Sequence, residues 1–189
     1  MELDLARNGC VNEAIAEPVP TLARPTDADS FESLYERTFP RLYAYVASLV
    51  GDRAAAEDVT AQAFERAYRR RGAYRPSRGS REAWIFGIAR NAALDELRRR
   101  RRRAPLEGEP ADAAAPAPDD QAEHSLRRET VRSALESLEA REREVVALKF
   151  MGGLSNAEIG RVLGVSESNA GTRLHRAITK LREACHDRA

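Results

Sequence analysis

Cysteine is scarce in this chain of 189 residues: Cys10 and Cys185 stand near its opposite ends. Two thiols so placed make no disulfide framework, and reduced cysteines in a cytoplasmic protein are the expected reading. Long apolar runs are also lacking, so no segment reads as spanning a bilayer and no membrane insertion is expected. The opening residues, MELDLARNGC, carry acids and lack the apolar core of a secretory signal. There is no glycine-rich phosphate loop and no paired nucleophile and base. Cys185 and His186 are too few ligands for a metal site. The expectation is a protein that is not an enzyme and carries no cofactor or metal.

An excess of charge is missing too. Lys+Arg 31 against Asp+Glu 30 leaves a formal net charge of +1, which by itself names no polyanionic partner. The distribution says more. Arg98 to Arg103 is an unbroken arginine run, and Glu107, Glu109, Asp112, Asp119, Asp120 and Glu123 follow with no base among them. Such separation predicts a basic working surface beside an acidic segment.

What is present is helical periodicity, interrupted twice. Residues 1–28 show scattered acids, three prolines and no sustained period, and read as a disordered N-terminal segment. From Phe31 the apolar positions Leu34, Tyr35, Phe39, Leu42, Tyr43, Val46 and Leu49 recur at helical spacing. Pro40 lies inside this run and predicts a kink or restart. After the break at Gly51-Asp52, Val59, Ala63, Phe64, Ala67 and Tyr68 mark a second helix. Ser80 is placed to cap a third, long helix with Trp84, Ile85, Ile88, Ala89 and Ala92 on its buried stripe. Two residues keep two readings each, since Tyr74 and Phe86 can stack on bases or simply pack.

Residues 104–124 are of another material, rich in Pro and Ala and acidic, with Leu106 as the one large apolar residue before the pattern resumes. Such a stretch buries too little to offset its ordering entropy and reads as a flexible linker. Helical pattern then returns with Leu126, Val131, Leu135 and Leu138, followed by Val145, Val146, Leu148 and Phe150.

The most informative stretch is Leu154 to Leu181, LSNAEIGRVLGVSESNAGTRLHRAITKL. Ser155 and Glu158 stand at capping-box spacing, and Ser166 opens a second helix directly after Gly164. Ile159 and Leu163 form an apolar edge, Gly160 leaves room for close approach, and Gly164 suits a tight turn. The second helix turns Ala170, Leu174, Ala177, Ile178 and Leu181 inward. Ser168, Asn169, Thr172, Arg173 and Arg176 stay on its outer side. Gly171 is the odd residue, because glycine inside a helix costs about 1 kcal/mol relative to alanine. This is the pattern of a helix-turn-helix whose second helix enters the DNA major groove. The fold expected is therefore all-α, with two small helical domains on a flexible acidic linker, the second containing the helix-turn-helix.

Three strings, AEDVTAQAFERA, EAWIFGIARNAALDELRRR and the helix-turn-helix stretch, together resemble the extracytoplasmic-function (ECF) class of the sigma-70 superfamily. The resemblance implies a region 2-like domain over residues 29–103 and a region 4-like domain over residues 125–189. Its implied partners are core RNA polymerase through its largest subunits, promoter DNA and an anti-sigma factor. Glu57, Asp58 and Gln62 match the polymerase-docking surface. Arg90, Asn91, Asp95 and Arg98 match the helix that captures the melted −10 strand, with Asn91 facing an extruded base. Ser168, Asn169, Thr172, Arg173 and Arg176 match the reader of the −35 element. A stand-alone helix-turn-helix regulator working without polymerase is the alternative, and it leaves the first two strings without a role.

Overall fold

The computed structural model describes residues 30–103 and 122–186, with side chains throughout except in 122–128. The N-terminal segment and residues 104–121 of the expected linker lie outside the described residues. Every regular element among those described is helical. Three long helices, α1 (Phe31–Val50), α2 (Arg53–Arg69) and α3 (Arg81–Arg103), form one unit. Four more, α4 (Ala122–Ser137), α5 (Ala140–Phe150), α6 (Asn156–Leu163) and α7 (Glu167–His186), form a second.

Caps define most of the boundaries. The Ser30 hydroxyl accepts from the Ser33 amide at 3.0 Å, and Gly51 closes α1 in the left-handed conformation with φ 66°. Asp52 opens α2, its carboxylate accepting from Ala55 N at 2.7 Å. Ser80 Oγ accepts from Ala83 N at 3.1 Å and opens α3. The expected capping box at Ser155 and Glu158 is present in both directions, and Gly164 ends α6 at φ 69°. Ser166 accepts from Asn169 N at 3.2 Å to open α7. A capping box between Glu139 and Glu142, not foreseen, opens α5.

Pro40 does not divide α1, which is a single helix through that position. Pro40 itself is exposed, while Leu34, Thr38, Leu42, Tyr45 and Val46 are buried on the side facing α2 and α3. Packing on both sides of the proline holds the helix across the one backbone hydrogen bond that it cannot donate.

The buried stripes are narrower than the apolar positions suggested. Tyr35, Phe39 and Tyr68 are exposed, and they form a rim of rings around Phe64 and Phe31. In α3 the buried set is Ala83, Ile85, Phe86, Ala89, Ala92 and Ala93, with Trp84 and Ile88 packed at its margin. Phe86 is wholly buried and Tyr74 donates its hydroxyl to Gly79 O at 2.9 Å, so both are structural in this arrangement. Phe150 points outward from the end of α5, against the expected inward position.

The two units do not sit apart. Val145, Leu148, Leu154, Ile159, Ala170 and Leu174 of the second belong to the same continuous core as Tyr45, Phe86 and Ala89 of the first. Leu138, Val146 and Ala177 make a smaller cluster of their own between α4, α5 and α7.

Candidate nucleic-acid interface

The charged and polar candidates occupy three helices. On α2, Glu57 and Asp58 are exposed and Gln62 is half-buried, while Val59, Ala63 and Phe64 are buried. Asp58 and Gln62 stand one turn apart and share a face. Glu57 is engaged within its own helix by Arg53 at 3.1 Å, a solvent-exposed pair of small energetic weight.

On α3 the alanines at 89, 92 and 93 are buried, which turns Asn91 and Asp95 to solvent. Asp95 accepts from Arg98 at 3.0 Å, again on the surface. The arginine run is partly tied down. Arg99 and Arg100 both bond Glu96, and Arg100 also reaches the Asp52 cap at 3.0 Å. The Arg99 bond, with Arg100 adding to it, outweighs burial and holds the Glu96 carboxyl below its ordinary range. The Ala55 amide and Arg100 do the same for Asp52.

Arg90 behaves differently from its neighbours. Its Nε donates to Glu144 Oε1 at 2.8 Å and its Nη2 to Glu144 Oε2 at 3.3 Å, so that α3 is forked onto α5. Tyr45 donates its hydroxyl to the same carboxylate at 3.3 Å. Burial, reinforced by the Glu144 charge, pushes the Tyr45 hydroxyl far above its ordinary value and keeps it a donor. A cleft of about 380 Å³ is lined by Tyr74, Arg75, Trp84 and Asn91 on one side and by Arg161 and Val162 of α6 on the other. Tyr74 and Trp84 meet there with ring centroids 5.7 Å apart.

The helix-turn-helix proper is formed by α6 and α7. Gly160 packs so closely on the turn that a Cβ there would lie 2.8 Å from Val165 O. Gly171 faces Asn156, whose Nδ2 would lie 3.4 Å from an added Cβ. On the outer side of α7, Ser168, Asn169, Thr172 and Arg176 are exposed and Arg173 is half-exposed. Thr172 donates its proton to Ser168 O at 3.0 Å, leaving its oxygen to accept. Ala170, Leu174 and Ala177 are buried behind them, so the five candidates lie together on one helix.

Residues 34–103 match the Sigma-70 region 2 family and residues 128–181 match the Sigma-70, region 4 family. The chain belongs to the sigma-70 family. Among its relatives is the RNA polymerase sigma factor CarQ of Myxococcus xanthus, 40% identical over 82% of this chain and 88% of that one. The ECF RNA polymerase sigma factor BldN of Streptomyces coelicolor is 35% identical over 88% of this chain, which spans 64% of BldN's length. Among solved structures, the sigma factor RpoE from Bartonella quintana, in complex with the anti-sigma factor NepR, superposes with a TM-score of 0.69 at 25% identity. That match covers 82% of this chain and 95% of RpoE. The α1–α3 unit thus corresponds to region 2 and the α4–α7 unit to region 4 of an ECF sigma factor.

Several residues of this sigma factor's interface were not legible beforehand. Glu144, Tyr45, Arg41 and Gly152 join the two regions, Arg41 donating to the Gly152 carbonyl. Glu158 does double duty. One carboxylate oxygen completes the α6 capping box with Ser155, and the other accepts from Ser80 at the start of α3. Burial pushes the Glu158 carboxyl up, but the bonds from Ser80 and Ser155 prevail and its value falls below the ordinary one. Of these, Glu158 and Ser80 were legible as capping residues, while their contact with one another, and the roles of Glu144, Tyr45 and Arg41, were not.

Proposed function

We propose that this chain is a promoter-specificity subunit of bacterial RNA polymerase, working in the cytoplasm without catalytic chemistry of its own. The observation that carries this reading is the combination of region 2 and region 4 in order, with a capped helix-turn-helix whose outer face is polar and basic. The second helix of that motif, α7, would read the −35 element through Ser168, Asn169, Thr172, Arg173 and Arg176, combining base-edge and phosphate contacts. Asn91 offers donors and an acceptor to an extruded base of the −10 strand. Arg90 and Arg98 would hold its phosphates, with Asp95 orienting Arg98. Glu57, Asp58 and Gln62 would dock on the largest subunits of core polymerase. Residues 29–103 and 125–189 would then be the working domains and 104–124 the stretch between them. An anti-sigma factor is a fitting partner, as NepR is for RpoE.

Run-off transcription on genomic fragments with purified core polymerase tests the reading. Transcripts that require both proteins are expected. Equal specific affinity for promoter duplex with and without core enzyme would instead favour the stand-alone regulator. Asp58→Arg should reduce holoenzyme formation with circular dichroism unchanged, since exposed charge changes rarely cost much stability.

A further inference from the structure

One residue on the outer side of α7 carries the charge that DNA repels. Glu167 opens the helix and is exposed, next to Ser168 and Asn169. Glu57 and Glu65, exposed on α2, are each matched to an arginine four residues away. Glu167 has no such partner. The positions one turn ahead are Ala170, which is buried, and Gly171, which has no side chain. Among the described residues its carboxylate makes no ion pair and no hydrogen bond. An acid in the first turn suits the helix dipole. The cap itself is already made by Ser166, which accepts from the Asn169 amide at 3.2 Å. The N-terminal end of a recognition helix is also where base edges are met. A carboxylate there gains nothing from phosphates and can only accept from a base. In the major groove guanine shows two acceptors, and thymine an acceptor and a methyl group, so both turn it away. Adenine sets its amino donor beside the N7 acceptor. Cytosine presents its N4 amino group with no acceptor of its own on that edge.

We propose that Glu167 is a specificity-determining residue of the −35 reader, accepting a hydrogen bond from the N4 amino group of a cytosine. Its charge counts against every phosphate contact nearby, so it adds selectivity and lowers overall affinity. The proposal rests on the assignment of α7 to the −35 element. It adds a residue to the set Ser168, Asn169, Thr172, Arg173 and Arg176, and it names one base that this surface selects.

The test uses holoenzyme assembled with the full chain, which selects from a library of randomised promoter-length duplexes, and the bound pool is sequenced. Wild type is expected to enrich a −35 block with one position where cytosine exceeds guanine and thymine roughly 10-fold. Glu167→Ala should level that position to within about 2-fold and leave the other positions of the block as they were. Glu167→Gln should move the preference from cytosine to adenine, because an amide pairs with adenine N6 and N7 together. Neither a lost helix-dipole contact nor a loss of stability changes which base is chosen, so this switch separates reading from a structural role. The Gln variant also keeps the size of the side chain and guards against an Ala variant that assembles poorly. A −35 block that both variants enrich with the same bases as wild type overturns the role of Glu167 and leaves α7 as the reader. A wild-type pool with no enriched −35 block overturns the assignment of α7, and the role of Glu167 with it.

Discussion

Region 2 and region 4 of this chain reach stability by different means. The first packs long helices around large side chains, Tyr45, Phe86, Leu34, Leu42 and Ile85 being wholly buried. The second includes the two short capped helices α5 and α6, and has a separate cluster of Leu138, Val146 and Ala177. Its larger apolar residues, Leu148, Leu154 and Ile159, join the core of the first region. Region 4 is therefore completed by contact with region 2.

The strongest way to break this comparison is at Phe86. Phe86→Ala removes a ring shared by both regions and should cost about 3–5 kcal/mol of unfolding free energy. Chemical denaturation followed by circular dichroism should show the loss in one transition. Two separated transitions would mean that region 4 stands without its neighbour.

Gly152 offers a milder probe from the opposite side. An added Cβ would lie 2.5 Å from Leu148 O and 3.1 Å from the Phe86 ring, and the backbone carbonyl cannot step aside cheaply. Gly152→Ala should destabilise by about 1–3 kcal/mol, measured by thermal melting. A neutral effect would show that the regions are more loosely seated than their shared core implies.

The DNA-facing sets sharpen the contrast in function. Asn91 is exposed, so Asn91→Ala should leave the melting temperature unchanged and weaken open-complex formation by about 1–3 kcal/mol, scored by permanganate reactivity. Arg176→Ala should instead weaken holoenzyme binding to a −35 duplex and lower the salt slope by about one. Permanganate reactivity untouched by Asn91→Ala would remove strand capture from α3.

The smallest expected effect is on acidification. Asp52, Glu96, Glu142 and Glu158 all have carboxyls held below their ordinary values in the folded chain. Groups of this kind add stability above their unfolded value and lose it as pH falls through the folded one. Stability should therefore decline below about pH 4, the ordinary carboxylate range. Glu158 joins the regions, so Glu158→Gln should flatten part of that decline. Melting curves between pH 6 and pH 3 would show it, and an identical pH profile in the variant would mean that this carboxylate does not contribute.

Much of this protein was decided locally and could be read without coordinates. Ser155, Glu158, Ser166 and Asp52 act on backbone amides three residues away, so capping chemistry is written in adjacent letters. The helical period likewise put Ala170, Leu174 and Ala177 inside α7 and the polar set outside. The period was a weaker guide on α1 and α2. It marked Tyr35, Phe39 and Tyr68 as apolar without saying that they would form a rim, because depth depends on which neighbours arrive. Pro40 shows the same limit in reverse, since a local rule against helix was overruled by burial on either side.

What only the tertiary structure decided is the meeting of the two regions. Arg90 and Glu144 are 54 residues apart, Ser80 and Glu158 are 78 apart, and Arg41 reaches Gly152 across 111. Capping and periodicity act within one or two helical turns, so they determine that each helix forms and which side is apolar. They hold no information on which two apolar sides will close on one another. That choice depends on complementary shape and on whether charges such as Glu144 find a partner once water is excluded, and both exist only after the chain has packed.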